Sequence, residues 1–251
     1  MRNALIAAVS VACTVIGSGA IQAEAFSIDF GRFGAETTAT GWNNVAATIG
    51  GTQNGSTLLN GGGTPGNPSG LLVDSTGATS GVTLTVTFSG TVDVGAAGGG
   101  ADYAGPYPAA VSSWPSLAVA DGFFSQPSNG GNTMTLSFSG LDNSTTYDLV
   151  IYGSRGNNGS SSPFSITGSG GTVNTSIANV FNNSTLTASA SGIAPSSGEI
   201  SVVYGFPGSG SSALNAMSLT AVPEPSTVGL LGLAGGSLLV FLARRRRPTT
   251  A

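Results

Sequence analysis

Hydrophobic and polar residues alternate along several short stretches of this chain. Val82 to Phe88 reads Val-Thr-Leu-Thr-Val-Thr-Phe, and Thr133 to Ser139 repeats the alternation. Because side chains on a strand point alternately to opposite faces, this period of two predicts half-buried β-strands. Tyr147 to Tyr152 is more continuously apolar, which is typical of a strand inside a sheet. Further short strands are predicted at 27–30, 71–73, 164–167, 186–190, 200–204 and 213–219.

Clusters of glycine, asparagine, serine and proline separate these stretches, and no long segment has the period of a helix. Many short strands in one domain of this length predict an all-β fold, a jelly-roll-like β-sandwich larger than an immunoglobulin domain. The segment from Gly140 to Tyr147 contains a leucine, a tight turn and a tyrosine that opens a strand. It resembles the tyrosine corner of sandwich folds, in which the hydroxyl group bonds back across the turn.

The start of the chain has the three-part pattern of a secretory signal peptide. A short positive segment precedes the apolar residues 4–16, and Ala23 and Ala25 supply small residues at the −3 and −1 positions of a cleavage site. We therefore expect a signal peptide at residues 1–25, with a cut after Ala20 as the alternative.

A second apolar stretch lies near the other end of the chain, at residues 227–243, and carries no charge. As a transmembrane helix it would be about 25 Å long, near the lower limit for crossing a bilayer. The cluster Arg244, Arg245, Arg246 and Arg247 follows directly. Because positive flanks stay cytoplasmic, the body of the protein is expected on the far side of the membrane.

Pro223, Glu224 and Pro225 stand just before this stretch. The two prolines keep the segment extended and remove two backbone donors, which favours its exposure to a processing enzyme. Residues 222–251 as a whole resemble the PEP-CTERM sorting signal of Gram-negative bacteria. The resemblance implies an exosortase, a membrane transpeptidase, as partner, a cut near Pro-Glu-Pro, and an association with exopolysaccharide. A proline-rich stalk before a permanent anchor is the alternative.

The body between the two ends, residues 26–221, carries short phrases that resemble galactose-binding-like extracellular domains. They lie at residues 28–31, 41–44, 70–74, 121–124, 140–142, 146–149 and 152–155. The resemblance implies a jelly roll that faces carbohydrate, and it brings no set of catalytic residues.

Charge and residue types exclude several functions. The body contains two arginines, Arg32 and Arg155, against nine carboxylates, so it cannot neutralise a phosphate backbone and we expect no nucleic-acid partner. The chain has no histidine, and its one cysteine, Cys13, lies in the leader. A Ser-His-Asp site, a zinc site and disulfides are therefore not expected. No metal or cofactor is predicted, although the acidic balance leaves room for a bound Ca²⁺ ion.

Carboxylates and aromatic rings are the remaining candidates for chemistry. Asp121, Asp142, Asp148 and Glu199 could supply the acid pair of a glycosidase, but they lack a paired spacing, so we expect no enzyme activity. Sugar faces stack on exposed rings beside amide groups. This chemistry makes five residues candidate glycan contacts: Trp42, Asn43, Tyr103, Tyr107 and Trp114. Packing in the core is the alternative for Trp42.

The sequence therefore predicts an exported surface or extracellular-matrix protein. We expect the helix at 227–243 to anchor it in the membrane, until processing leaves it on the cell surface or outside the cell. Its body is expected to be a non-catalytic carbohydrate-binding or structural module. An adhesive protein without a glycan site and a glycoside hydrolase are the alternatives.

Overall fold

The computed structural model describes residues 24–32, 39–47, 57–58, 69–89, 93–94, 105–120, 122–125, 132–156, 159–205 and 211–223. Within them the regular structure consists of fifteen strands, a 3₁₀ turn at Ala109–Val111 and one short helix, α1, at Ser116–Ala120. The strands are β1 (Ala25–Arg32), β2 (Trp42–Ala47), β3 (Thr57–Leu58), β4 (Ser69–Val73), β5 (Thr79–Ser89), β6 (Asp93–Val94), β7 (Phe123–Ser125), β8 (Thr133–Ser139), β9 (Thr146–Tyr152), β10 (Ser162–Gly168), β11 (Gly171–Ile177), β12 (Ala188–Ile193), β13 (Glu199–Gly205), β14 (Ser212–Leu214) and β15 (Ala216–Val222). The prediction of an all-β fold is confirmed.

The strands form two six-stranded sheets and one small sheet. The first sheet has the order β12-β9-β15-β1-β2-β3, and the second has the order β11-β10-β13-β8-β5-β4. A three-stranded sheet of β14, β7 and β6 lies beside them. Among the described strand pairs, β1 and β2 are parallel and the others are antiparallel.

One hydrophobic core joins the inner faces of the two large sheets. Phe26, Ile28 and Leu149 come from the first sheet, and Leu84 and Leu136 come from the second; all five are fully buried. Burial of this much apolar surface is the main favourable term for a chain whose body has no cysteine. The body is thus sandwich-like, with its core between two layers.

The alternation that predicted strands also decides which side chains are buried. In β8 the residues Met134, Leu136 and Phe138 are buried, and the threonines and serines between them face outward. Strand β5 repeats this pattern. Strand β9 lies inside its sheet, between β12 and β15, as its more continuous apolar sequence indicates.

Residues 105–120 pack on the first sheet. Val111 of the 3₁₀ turn and Val119 of α1 form a second apolar cluster with Tyr152 of β9, and all three are fully buried. Val150, Tyr107 and Trp114 pack against this cluster. The segment therefore covers part of the outer face of the first sheet with apolar contacts.

The first and last strands of the body lie at its predicted ends. Strand β1 begins at Ala25 and strand β15 continues through Val222, so each extends one residue beyond the interval 26–221. The predicted signal segment up to Ala23 and the predicted span at 227–243 lie outside the described residues. Among the described residues, no helix has the length and hydrophobicity needed to cross a membrane.

Candidate functional site

The predicted sorting segment begins where strand β15 ends. This strand lies inside the first sheet, between β9 and β1, and its last residue Val222 pairs with Thr146 of β9. Pro223 follows, is exposed, and is the last described residue. Since proline has no N–H group to donate to a sheet, it ends the strand at this point. The motif thus leaves the body directly from a strand of the core sheet, while Glu224, Pro225 and Arg244 to Arg247 lie outside the described residues.

The other end of the body lies beside this exit. Ala25 pairs with Thr220 of β15, and the backbone N–H of Ala221 donates to the carbonyl oxygen of Glu24 at 2.7 Å. Because β1 and β15 are antiparallel, the start of one strand meets the end of the other. The predicted leader and the predicted sorting tail therefore leave the body next to each other.

This geometry bears on the two candidate leader cuts. Cleavage after Ala25, the predicted position, removes Glu24 and Ala25 from their pairing with β15. Cleavage after Ala20 keeps both residues in the sheet. Ala23, the other small residue of the predicted cleavage site, lies outside the described residues.

Three carboxylates, those of Glu24, Asp74 and Asp142, interact electrostatically at this end of the body. Burial raises the pKa of half-buried Glu24, and the negative charges of Asp74 and Asp142 raise it further. Hydrogen bonds from the Thr76 hydroxyl and backbone lower the pKa of Asp74. The backbone N–H and the hydroxyl of Ser144 lower the pKa of Asp142 in the same way. At neutral pH this end therefore carries negative charge.

The predicted aromatic contacts come together on the outer face of the first sheet. The rings of Trp42 and Trp114 meet edge to face with their centroids 5.5 Å apart, and Tyr107 meets Tyr152 in the same manner at 6.1 Å. Trp42, Tyr107 and Trp114 are half-buried, so each ring contributes to packing and also keeps some exposed area. We call these three residues the aromatic surface. Tyr103 lies outside the described residues.

Asn43, the predicted amide partner of Trp42, is fully buried and does not face solvent. Its side-chain N–H group donates to the carbonyl oxygens of Ser27 and Val73, at 3.1 and 2.9 Å. Its Oδ1 atom accepts from the backbone N–H of Val73 at 2.8 Å. The amide therefore joins strand β2 to strand β4 of the other sheet, and we leave Asn43 out of the candidate contacts.

Two of the four candidate acids of a glycosidase, Asp142 and Asp148, accept structural hydrogen bonds. Asp142 caps its own turn, since Oδ1 accepts from the N–H and hydroxyl groups of Ser144 at 2.9 and 2.8 Å. Asp148 accepts from the N–H of Gly192 at 2.9 Å, and Glu199 is exposed on β13. Asp121 lies outside the described residues. Across the part of the chain that the structure describes, no three His, Cys, Asp or Glu side chains are grouped to hold a metal ion.

Two roles were missed at the sequence level. Tyr152, predicted as part of a strand and of the segment 152–155, forms the buried base of the aromatic surface. Its hydroxyl group donates to the carbonyl oxygen of Asn183 at 2.8 Å. Arg155 is buried, with its guanidinium carbon 4.9 Å from the centroid of the Phe124 ring. A cation over an aromatic face is stabilised electrostatically, so Arg155 has a packing role.

Comparison with known families adds one finding. The PEP-CTERM protein-sorting motif matches residues 221–247, which begin inside β15 and include the Pro-Glu-Pro segment and the arginine cluster. No curated protein sequence matches the chain. The resemblance of the body to galactose-binding-like domains stays a prediction. The chain carries a PEP-CTERM protein-sorting motif, which indicates export, processing by an exosortase-type enzyme, and a surface or extracellular destination.

Proposed function

We propose that this protein is a non-catalytic, carbohydrate-binding module of the cell surface or extracellular matrix that is delivered by its sorting tail. In this proposal the apolar stretch 227–243 anchors the precursor in the membrane, and an exosortase-type enzyme then cuts near Pro223, Glu224 and Pro225. The polysaccharide partner would be an exopolysaccharide outside the cell.

The proposed sorting and processing rest on the match of the sorting motif to residues 221–247. The geometry of the junction supports them, because β15 ends at Val222 and Pro223 is exposed. A cut after Pro223 would leave every strand of both large sheets attached to the body. Processing and release therefore require no unfolding of the body.

The aromatic surface supports the proposed binding of carbohydrate. Trp42, Tyr107 and Trp114 lie on one face and keep exposed ring area beside the backbone of the 105–120 segment. Apolar faces of sugars pack on such rings, and the low charge of the chain suits a neutral ligand. The same half-burial also favours a second candidate, an adhesive or structural protein in which these rings only cover the sheet.

Intact mass of the protein recovered from its native host tests the sorting step. We expect a mass that lacks the arginine cluster and ends near residue 225. The double variant Pro223→Ala with Glu224→Ala should keep the full tail, because it removes the extended segment that the enzyme recognises. A full tail on the unmodified protein would mean a permanent anchor and would contradict processing.

A glycan array with the full chain in detergent tests the body. We expect binding to at least one polysaccharide. Trp114→Ala should lose roughly tenfold in affinity, because it removes a ring contact worth about 1.4 kcal/mol. Phe181→Ala is the matched control, since Phe181 is also aromatic, is 47% exposed and is not one of the three residues of the aromatic surface. Absence of binding across the array would leave the adhesive or structural candidate.

A further inference from the structure

The outer face of the second sheet is covered with hydroxyl groups. The outward residues of β5, β8, β10, β11 and β13 are mainly threonine and serine. Together they form what we call the hydroxyl face: Thr83, Thr85, Thr87, Ser89, Thr133, Thr135, Ser137, Ser139, Ser165, Thr167, Thr172, Ser176 and Ser201.

The pairing register aligns these residues across strands. Thr85 pairs with Ser137, Ser137 with Ser201, Ser201 with Thr167, and Thr167 with Thr172. One row of hydroxyl groups thus crosses five neighbouring strands, at the strand spacing of about 4.8 Å. The neighbouring rows lie about 6.8 Å away along the strands and are mixed, because every second residue points to this face. One contains Thr87, Thr135 and Ser165 together with Val203 and Asn174, and the other contains Thr83, Ser139 and Glu199.

Threonine favours strands, so its frequency alone requires no ligand. A second feature of the face does suggest one. A shallow cavity of about 210 Å³ opens beside the row, and it is lined by Thr167, Ser196, Glu199 and Ser201. Glu199 is the one carboxylate among the described outward residues of these five strands.

The chemistry of this cavity fits a polyhydroxyl ligand. A carboxylate can accept two hydrogen bonds, and each hydroxyl group can both donate and accept. Hydrogen bonds to a charged acceptor are stronger than those between neutral groups. Neighbouring hydroxyl groups of a sugar ring present such a pair of donors, and they also bond to serine and threonine.

Charge limits the class of ligand. The described outward residues of these strands include no lysine or arginine, and the chain as a whole is acidic. A polyanionic polymer would therefore be repelled. A polycation would find only one carboxylate among the described residues of this face to neutralise its charges. A neutral polymer of sugars avoids both costs, and its repeating hydroxyl groups can contact successive rows.

We propose that the hydroxyl face binds a neutral polysaccharide, with Glu199 and its cavity holding one sugar unit. This rests on the proposed carbohydrate-binding function, and it adds to the aromatic surface a second contact surface, on the outer face of the second sheet. Each hydroxyl contact is weak in water, so affinity comes from many contacts along one polymer.

The test mixes the full chain in detergent with microcrystalline cellulose or with insoluble β-1,3-glucan and measures how much protein is removed from solution. Alginate serves as the polyanionic polymer for comparison. The triple variant Thr85→Val, Ser137→Ala and Thr167→Val removes three hydroxyl groups of the row and keeps strand-forming residues. We expect it to bind at least one neutral polymer roughly tenfold more weakly than the unmodified chain, and Glu199→Gln to weaken binding as well. The double variant Ser189→Ala with Ser191→Ala, on exposed β12, removes hydroxyl groups elsewhere and should bind normally.

Circular dichroism of each variant verifies the fold before binding is compared. Normal binding by a folded triple variant, with binding lost in Trp114→Ala, would assign the ligand to the aromatic surface and overturn this inference alone. Tighter binding to alginate than to the neutral polymers would also overturn it. If the unmodified chain binds no polysaccharide on the array, the proposed function itself fails.

Discussion

At the scale of single residues, the turn between β8 and β9 depends on the hydroxyl group of Tyr147. The ring is buried, and the hydroxyl oxygen accepts a hydrogen bond from the backbone N–H of Asp142 at 3.2 Å. Burial is the main cause of the raised pKa of Tyr147, so the group stays a neutral phenol at physiological pH. The predicted tyrosine corner is therefore confirmed.

Replacing Tyr147 with phenylalanine should destabilise the protein. The substitution leaves the N–H of Asp142 without its acceptor, at a cost of about 1–2 kcal/mol. Denaturant unfolding should show a lower midpoint with an unchanged slope. A midpoint equal to that of the parent chain would mean that the hydrogen bond contributes nothing.

Asp142 gives this turn a dependence on pH. Its folded-state pKa lies below the ordinary value of 3.8, because Ser144 and Thr145 donate hydrogen bonds to the carboxylate. A lowered folded-state pKa adds stability above the unfolded-state pKa, and this stability is lost as pH falls through the folded-state value. Asp142→Asn should lower Tm at pH 7, and the difference from the parent should shrink below pH 4. A difference that is constant over this range would contradict the assignment.

Asn43 should matter more for stability than any exposed asparagine. Asn43→Ala removes three hydrogen bonds and leaves the N–H and carbonyl groups of Val73 without a side-chain partner, at an expected cost of about 2–4 kcal/mol. The control is Asn174→Ala on exposed β11, where one side-chain bond to Ser165 is lost. We expect the control to change the free energy of unfolding by less than about 0.5 kcal/mol. Equal effects of both substitutions would show that the bonds between β2 and β4 are not important.

At the scale of elements, Gly140 fixes the exit from β8. Its φ of +88° lies in the region that favours glycine, and an added Cβ atom would meet the carbonyl oxygen of Gly81 at 2.5 Å. The oxygen of Gly81 belongs to the backbone, so the neighbouring start of β5 cannot move aside easily.

Gly140→Ala should therefore cost about 2 kcal/mol or more. Gly170, in the turn between β10 and β11, is the matched control because an added Cβ atom there meets nothing within 4 Å. Gly170→Ala should leave the unfolding midpoint unchanged or slightly higher, since it reduces the freedom of the unfolded chain. If both variants unfold alike, the contact with Gly81 does not limit this turn.

At the scale of the whole molecule, the two ends of the body lie side by side on neighbouring inner strands of the first sheet. Strand β15 pairs with both β9 and β1, and the Pro-Glu-Pro segment of the sorting motif directly follows its last residue, Val222. The tail can therefore be removed after Pro223 without loss of any described strand of the body.

Two truncated chains test this separation. A chain that ends at Pro223 should unfold at the same temperature as the untruncated chain, because every described strand remains. A chain that ends at Ser218 loses the pairing of Leu219 to Val222 with β9 and should unfold at a clearly lower temperature or fail to fold. A large loss of Tm in the first chain would show that residues beyond 223 contribute to the body.

Much of the fold could be predicted from the sequence where hydrophobic and polar residues alternate. The predicted strand at 133–139 has the bounds of β8, and the predicted strand at 82–88 lies inside β5. Strand β11 was missed because it is an exposed edge strand without alternation. The predicted strand at 213–219 is in fact two strands, interrupted at Asn215, whose Oδ1 atom accepts from the N–H of Ser154 at 2.7 Å.

Only part of the candidate site could be predicted from the sequence. Residue types near Trp42 indicated sugar contacts, but only the fold shows that Asn43 bonds to Val73, thirty positions along the chain. The hydroxyl face could not be predicted from the sequence either, because its rows depend on the register between strands such as β10 and β13. Local patterns cannot specify which distant residues become neighbours.

The sequence by itself determined the sorting tail and the all-β class. The tail is a linear motif that a membrane enzyme reads as a peptide, and strand alternation is a local property of side-chain direction. The tertiary structure decided the rest: the pairing that sets both ends of the body side by side, the burial of Asn43, and the alignment of the hydroxyl face. These features depend on contacts between residues far apart in the chain, and such contacts exist only after the two sheets have packed around their common core.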